Sequence, residues 1–378
     1  KAQKMGFGAR KQRVEEETSS ALPEDLMPFG TPQQEKRGVQ VVQQTLVHGD
    51  GRTLETGKVL TLRGKLTELF ERWKGCRLVI EAGGHSPWIS RLGKAGGLEV
   101  VVANPRRVEL ISKSDKKCDR TDAETLARLG KSDVELLAPI RHRSKEAQEH
   151  LAVQRGRNMA VSVRTMLINN VRGVLKSHGH RGPSCAPQCF AARVRPQIPA
   201  ELEPALGLIL NLIVKADVVI KAFDKKLGDL AKKHYPVTEL LQGVKGVGPI
   251  VSLTFVLTLD DPERFKGRDV GAYLGLVPRQ KSSGASSPQL HITKAGDHEM
   301  RRLLVLAANY ILGRHGPDCD LRRYGLRIAG DGSDKKAKKR ARVAVARKLA
   351  VLLHHLWKTG AVYDPFHLAK KRGDPLPA

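Results

Sequence analysis

Aromatic residues are scarce in this chain of 378 residues, at 4%. That argues against the stacked aromatic platforms that carry much single-strand nucleic-acid binding. Cysteine is scarce as well, five in all and odd in number, which speaks against a disulfide framework and for a reducing cytoplasm. No apolar run reaches the ~18 residues that a transmembrane helix needs, and no signal-peptide pattern is present, so no membrane partner is expected. Acids are the minority charge: 39 Asp and Glu stand against 66 Lys and Arg, a net charge of +27. A surplus of that size favours a polyanionic partner, nucleic acid before an anionic membrane surface. Apolar residues make up 40%, enough for substantial cores, and the length allows two or three domains.

The first 36 residues are polar and charged, with Arg10-Lys11-Gln12-Arg13 and Glu15-Glu16-Glu17 among scattered Pro and Gly, and read as a disordered extension. The chain does not begin with Met, so its first residue need not be the native one. From Gly38, two β-prone runs flank His48-Gly49-Asp50-Gly51-Arg52, a hairpin signal. A helical stretch follows through Trp73, then the short apolar strand Leu78-Val79-Ile80, a helix opening at Ser86-Pro87, and a strand over Leu98 to Ala103. Thr121-x-x-Glu124 reads as a capping box. Strands alternating with helices predict an α/β domain over 37–142. Residues 143–237 read as helical and oligomerising: an Arg-rich helix over 145–178, a Pro/Cys loop over 179–200, and a long amphipathic, coiled-coil-like helix over 201–234. A mainly α domain is expected over 238–360, with a tail over 361–378.

Three acids stand out against the basic background. Glu81 closes the run Arg77-Leu78-Val79-Ile80, and Asp119 and Asp122 lie three residues apart at a helix start. Acids from remote segments at one edge of a sheet can hold two divalent ions against a phosphodiester. Acids in a first helical turn are equally explained by the helix dipole, and spacing alone leaves both readings open.

Glu81-Ala82-Gly83-Gly84-His85, Val101-Val102-Ala103-Asn104-Pro105-Arg106-Arg107-Val108, Asp119-Arg120-Thr121-Asp122-Ala123, Arg164-Thr165 and Asn169-Asn170-Val171-Arg172-Gly173, in that order, resemble the DEDD transposases of the IS-one-ten family of bacterial insertion sequences, which includes pilin-gene invertases. The resemblance covers roughly residues 38 to 360. It implies a ribonuclease-H-like N-terminal domain with Glu81, Asp119 and Asp122 as catalytic ligands of Mg2+ or Mn2+. The family's first Asp sits in a Gly-hydrophobic-Asp-Val strand, and the matching position in Gly38-Val39-Gln40-Val41 is Gln40. Glutamine offers a neutral carbonyl but no charge, so the resemblance implies a degenerate metal position and an impaired copy. Asp50 is the nearest substitute acid, but it falls in the expected turn.

In the second half, Gly243-Val244-Lys245-Gly246-Val247-Gly248 resembles a helix-hairpin-helix turn, in which Gly246 and Gly248 would let backbone approach a phosphate. An ordinary helix connector explains the same residues. Ala272 to Arg279, then Lys281-Ser282-Ser283-Gly284-Ala285-Ser286-Ser287 and His291-Ile292-Thr293-Lys294-Ala295-Gly296, resemble the family's serine transposase domain. The Ser of its Ser-Gly pair, here Ser283, would attack DNA to form a phosphoserine link, with the carboxylate site of another subunit activating the hydroxyl; taken alone, the segment is a flexible loop. Lys294, Arg301 and Arg302 are expected phosphate contacts, as are Lys338, Lys339 and Arg340 in the basic run that opens the last long helix. His178, His180, Cys185 and Cys189 depart from zinc-finger spacing and read as an irregular loop. The resemblance implies DNA as partner (element ends and target), a guide RNA, a homodimer or homotetramer, and a cytoplasmic, nucleoid-associated location in a bacterium. A non-catalytic nucleic-acid-binding remnant and a junction-resolving metal nuclease are the alternatives.

Overall fold

The computed structural model describes residues 4–8, 41–48, 50–111, 118–284, 286–288 and 290–373. The described residues are mostly helical, with one small sheet among them, and the chain divides into two units, Lys1–His142 and Arg143–Ala378.

The first unit holds β1 (Lys4–Gly8), β2 (Val41–Val47), β3 (Thr53–Leu60), α1 (Arg63–Arg72), β4 (Arg77–Glu81), α2 (Ser86–Ala95), β5 (Glu99–Ala103), α3 (Pro105–Ile111) and α4 (Asp119–Ser132). The sheet order is β3-β2-β1-β4-β5. β1 and β2 are antiparallel, as are β2 and β3, while β1, β4 and β5 run parallel. This arrangement fits the ribonuclease-H-like expectation. Two corrections come with it. The stretch expected to be a disordered extension contains the central strand, Lys4–Gly8. The run from 38 that was expected to open the sheet supplies β2 instead. Both partners of β1 lie more than thirty residues downstream, so no local pattern marks it.

The β2–β3 hairpin forms where the Asp-Gly signal placed it. The Asp50 carboxylate accepts from the Arg52 backbone N–H at 2.9 Å and the Arg52 Nε at 2.8 Å. Those bonds, the backbone one first, hold its acidity down at about 2. Gly51 takes φ +101°, which glycine adopts without strain. β4 is buried on both faces, as a central parallel strand should be. Leu78 and Ile80 meet Leu66, Leu69 and Phe70 of α1 on one side. Val79 meets Leu126 of α4 and Val101 of β5 on the other. The pleat alternates these side chains between two layers of helices. The capping box expected at Thr121 does not form: α4 begins at Asp119 with Cys118 before it, and Glu124 pairs with Arg128, one turn on, at 2.7 Å.

The second unit holds α5 (Lys145–Ser177), α6 (Phe190–Val194), α7 (Glu203–His234), α8 (Val237–Gln242), α9 (Pro249–Leu259), α10 (Gly267–Tyr273), α11 (His298–Leu312), α12 (Asp320–Ala329), α13 (Lys335–Thr359) and α14 (His367–Arg372). α5 and α7 form an antiparallel pair: Arg157 bonds Asp224 at 2.8 Å, Arg164 bonds Asp217, and Gly156 gives way to the Phe223 ring. The coiled-coil-like helix therefore has its first partner within the chain. The Pro/Cys loop carries α6, which buries Phe190 against Val171, Leu206 and Leu210. His178, His180, Cys185 and Cys189 form no ligand group among the described residues. α9 is buried from Ser252 to Leu259 at the centre of a core with α8, α11 and α13. The tail is corrected in part: the Asp320 carboxylate accepts from the Leu368 and Ala369 amides at 2.6 and 3.2 Å, docking α14 on α12.

Candidate active site

Glu81 is the last residue of β4 and is half-buried. Phe7 of β1 lies opposite Ile80, so the register sets Gly8 level with Glu81. Asp119 and Asp122 occupy the first turn of α4, both half-buried. The opposite end of α4 is fixed by two contacts. Arg77 at the start of β4 donates to the Gly130 carbonyl at 2.8 Å. A Cβ on Gly51, in the β2–β3 turn, would lie 3.3 Å from the Lys131 Nζ. Both mark the edge where β1 and β4 begin. Fourteen residues of helix span about 20 Å, more than a five-residue strand. Packed along β1 and β4, α4 therefore carries its first turn to the edge where those strands end.

Glu81 and the two aspartates thus share one end of the sheet. They do not close into a compact set: no group of three His, Cys, Asp or Glu ligands within 4.8 Å of one another includes any of them among the described residues. Three carboxylates offer the oxygen donors Mg2+ prefers, so the donor chemistry fits the ion, with no fourth acid on β1. Gln40 lies outside the described residues. Asp50 sits at the opposite edge and is committed to its turn.

Ser283 stands at the tip of a β-arm. The arm starts with the Pro278↔Ile292 bridge, continued by Arg279 N–H to the His291 carbonyl at 2.9 Å, and ends with Ser283↔Ser286. There the two serines exchange N–H···O bonds of 3.1 and 3.0 Å. Gly284, at φ +55°, suits the first turn position of a two-residue hairpin. The Ser283 side chain is exposed.

At the root of the arm, Gly275 and Gly296 let two backbones touch: a Cβ on Gly296 would lie 2.0 Å from the Tyr273 carbonyl oxygen. Arg301 corrects an expectation here. It is 8% exposed, and its Nη1 donates to the carbonyls of Leu274 at 3.1 Å and Ala295 at 2.7 Å. Its guanidinium ties the arm's root and is not presented to phosphate. Lys294 is exposed on the same loop, at φ +54°. Arg302 is exposed but bonded to Glu299 at 2.8 Å. Gly246, at φ +93°, faces inward, where a Cβ would meet Tyr310 at 3.1 Å; Gly248 faces open space. Lys338, Lys339 and Arg340 are exposed at the start of α13. Lys336, Lys339 and Arg340 line a cleft of about 1870 Å³, together with Lys294, Arg268, Arg347 and Lys348. Arg268 lies far in sequence from the adjacent Arg347 and Lys348, and none of the three gave a local signal.

Two family matches cover most of this architecture. The DEDD transposase family of IS110 matches residues 40–179, and the family described as Transposase IS116/IS110/IS902 matches residues 238–324. The chain belongs to the IS110 family of transposases. The transposase is 28% identical to a protein of Coxiella burnetii named as the transposase for insertion sequence element IS1111A, over 74% of this chain and 76% of that one. It is 27% identical to a probable family 20 transposase of Pseudomonas aeruginosa, over 80% of this chain and 90% of that protein. The first family match covers the acid edge from β2 onward, and the second covers the arm and its root. No helix among the described residues of the transposase is long and apolar enough to cross a membrane.

Proposed function

We propose that this transposase cuts and rejoins DNA at the ends of its insertion sequence and at a target, with Ser283 as the nucleophile. The observation that carries the reading is the placement of an exposed serine on the tip of an arm whose root is locked by Gly275, Gly296 and Arg301. In the step itself, the Ser283 oxygen bonds to phosphorus, the bond from phosphorus to the leaving sugar oxygen breaks, and the serine proton ends on that oxygen. No histidine or carboxylate hydrogen-bonds the Ser283 hydroxyl among the described residues, so its activation is assigned to the carboxylate site, supplied by another subunit. Glu81, Asp119 and Asp122 would hold Mg2+ or Mn2+, which when bound polarises the phosphodiester. Lys294, Lys339 and Arg340 would hold the DNA backbone without reading its sequence.

Two refinements belong to the same reading. The exposed apolar residues of the α5–α7 pair, Leu208 at 68% and Met159 at 66% among them, favour a homodimer or homotetramer joined there, and a guide RNA would choose the sites. The first metal carboxylate is missing at Gly8, level with Glu81, so this copy is impaired. A second reading, binding without chemistry, is favoured by that same glycine.

The experiment is strand cleavage on element-end DNA with guide RNA, comparing the chain as it stands with Gly8→Asp, Gln40→Asp and Ser283→Ala. Gly8→Asp should gain Mg2+-dependent cleavage and a protein–DNA adduct that survives denaturing gels, and Ser283→Ala in that background should lose the adduct. Cleavage that persists without Ser283 would mark a metal nuclease. Binding with no cleavage in any form would mark a remnant, and a gain from Gln40→Asp alone would return the missing acid to that position.

A further inference from the structure

One side-chain cluster plays no part in the acid edge or the arm. Glu146 and His150 sit one turn apart on α5, so they share a face. His234 is the last residue of α7, brought beside them by the antiparallel pairing. One ligand atom from each of the three lies within 4.8 Å of the others, the only such group among the described residues. His234 Nδ1 is 2.9 Å from a Glu146 carboxylate oxygen, and the two imidazole rings are 5.1 Å apart. His150 Nδ1 is bonded to the Tyr235 hydroxyl at 2.8 Å.

We propose that Glu146, His150 and His234 bind one Zn2+ ion, which clamps the root of the α5–α7 hairpin. Two imidazoles and a carboxylate form a zinc donor set, and are too rich in nitrogen for Mg2+. Zinc bonds of about 2.0–2.1 Å in a tetrahedron set ligand atoms roughly 3.3 Å apart. The present spacing, within 4.8 Å, is near that distance. The Glu146 side chain is 59% exposed and that of His234 32%, leaving an outer face for a fourth, water ligand. Tyr235 supplies the outer contact that zinc-bound histidines usually have: when His150 Nδ1–H donates to the phenol oxygen, Nε2 is free for the metal. An exposed Glu146–His234 ion pair alone is worth under ~1 kcal/mol and leaves the placement of His150 and Tyr235 unexplained. The site would fix the first two turns of α5 against the last turn of α7, beside the small core of Ala147, Leu151, Leu227 and Leu253.

The test titrates the full chain, stripped with chelator, with Co2+ and then Zn2+. One equivalent of Co2+ should give the visible absorption of a tetrahedral site, and Zn2+ should bleach it. His150→Gln and His234→Gln should weaken binding at least ~100-fold, and Tyr235→Phe about 10-fold. Cys185→Ser with Cys189→Ser should change neither affinity nor stoichiometry. Far-UV circular dichroism checks the fold of each variant. Carbethoxylation of the unmutated chain, read by mass spectrometry, needs no variant: Zn2+ should protect His150 and His234 and leave His178 and His180 reactive. Equal Co2+ binding by the unmutated chain and the His150→Gln, His234→Gln double variant, or equal reactivity of His150 with and without Zn2+, would overturn the proposal.

Discussion

The acid edge and the serine arm solve opposite problems. The acid edge gathers charges from segments far apart in the chain, so it depends on a sheet whose central strand joins residues 4–8 to partners after residue 40. In the reading proposed above, an acid absent at Gly8 would remove part of the charge, however well the rest folds. The arm is local: fewer than twenty residues form it, and one glycine turn presents its serine. Its weak point is its root, where two glycines and a buried arginine hold the loop from 274 to 296. An assembled site thus fails through a missing member, and a presented one through a loose hinge.

Four experiments can break or sharpen that contrast. The largest effect should come from Glu81→Gln introduced beside Gly8→Asp: any cleavage gained by the first change should fall about 100-fold or more, with the melting temperature unchanged. A loss of stability of similar size would mean that Glu81 is structural. Next, Arg301→Ala should cost ~2–4 kcal/mol in chemical denaturation, because it strips buried carbonyls of their donor. Arg302→Ala beside it should stay within about 0.5 kcal/mol. If both cost the same, Arg301 is not the tie at the arm's root. Third, Gly130→Ala places a Cβ 2.3 Å from a Val79 methyl. Alanine gains up to ~1 kcal/mol of helix propensity, but overpacking costs about 1–3 kcal/mol, so the variant should be less stable. A stabilised variant would show that α4 does not press on β4 there. The smallest effect should be on binding: with Lys338, Lys339 and Arg340 all changed to Ala, DNA affinity should drop evenly across sequences and the salt slope should fall by up to ~3. An unchanged slope would remove the start of α13 from the interface.

Much of this was readable beforehand wherever the signal was local. Asp50-Gly51 marked its hairpin, Leu78-Val79-Ile80 its buried strand, and the Arg-rich stretch and the long apolar spacing that follows it gave α5 and α7 within a few residues. Non-local effects were not readable. Lys4–Gly8 is too short and too plain to announce a strand, and becomes one by being paired on both sides. Arg301 follows a pattern of surface cations, yet carbonyls from two loops close over it. Residues near Pro365 look like tail chemistry until Asp320 offers its carboxylate to their amides. For the candidate site, Glu81, Asp119 and Asp122 were correctly read as lying on a strand end and a helix start. What pattern could not supply was the strand beside them.

α9 carries a last consequence. It is apolar on every side, and the helices that enclose it run on to α13, which begins some seventy-five residues later. A ribosome that stalled in between would release a polypeptide with a bare greasy rod at its middle. Prematurely terminated products of this transposase should therefore be cleared by proteases or precipitate, rather than persist as competitors for the ends of the element.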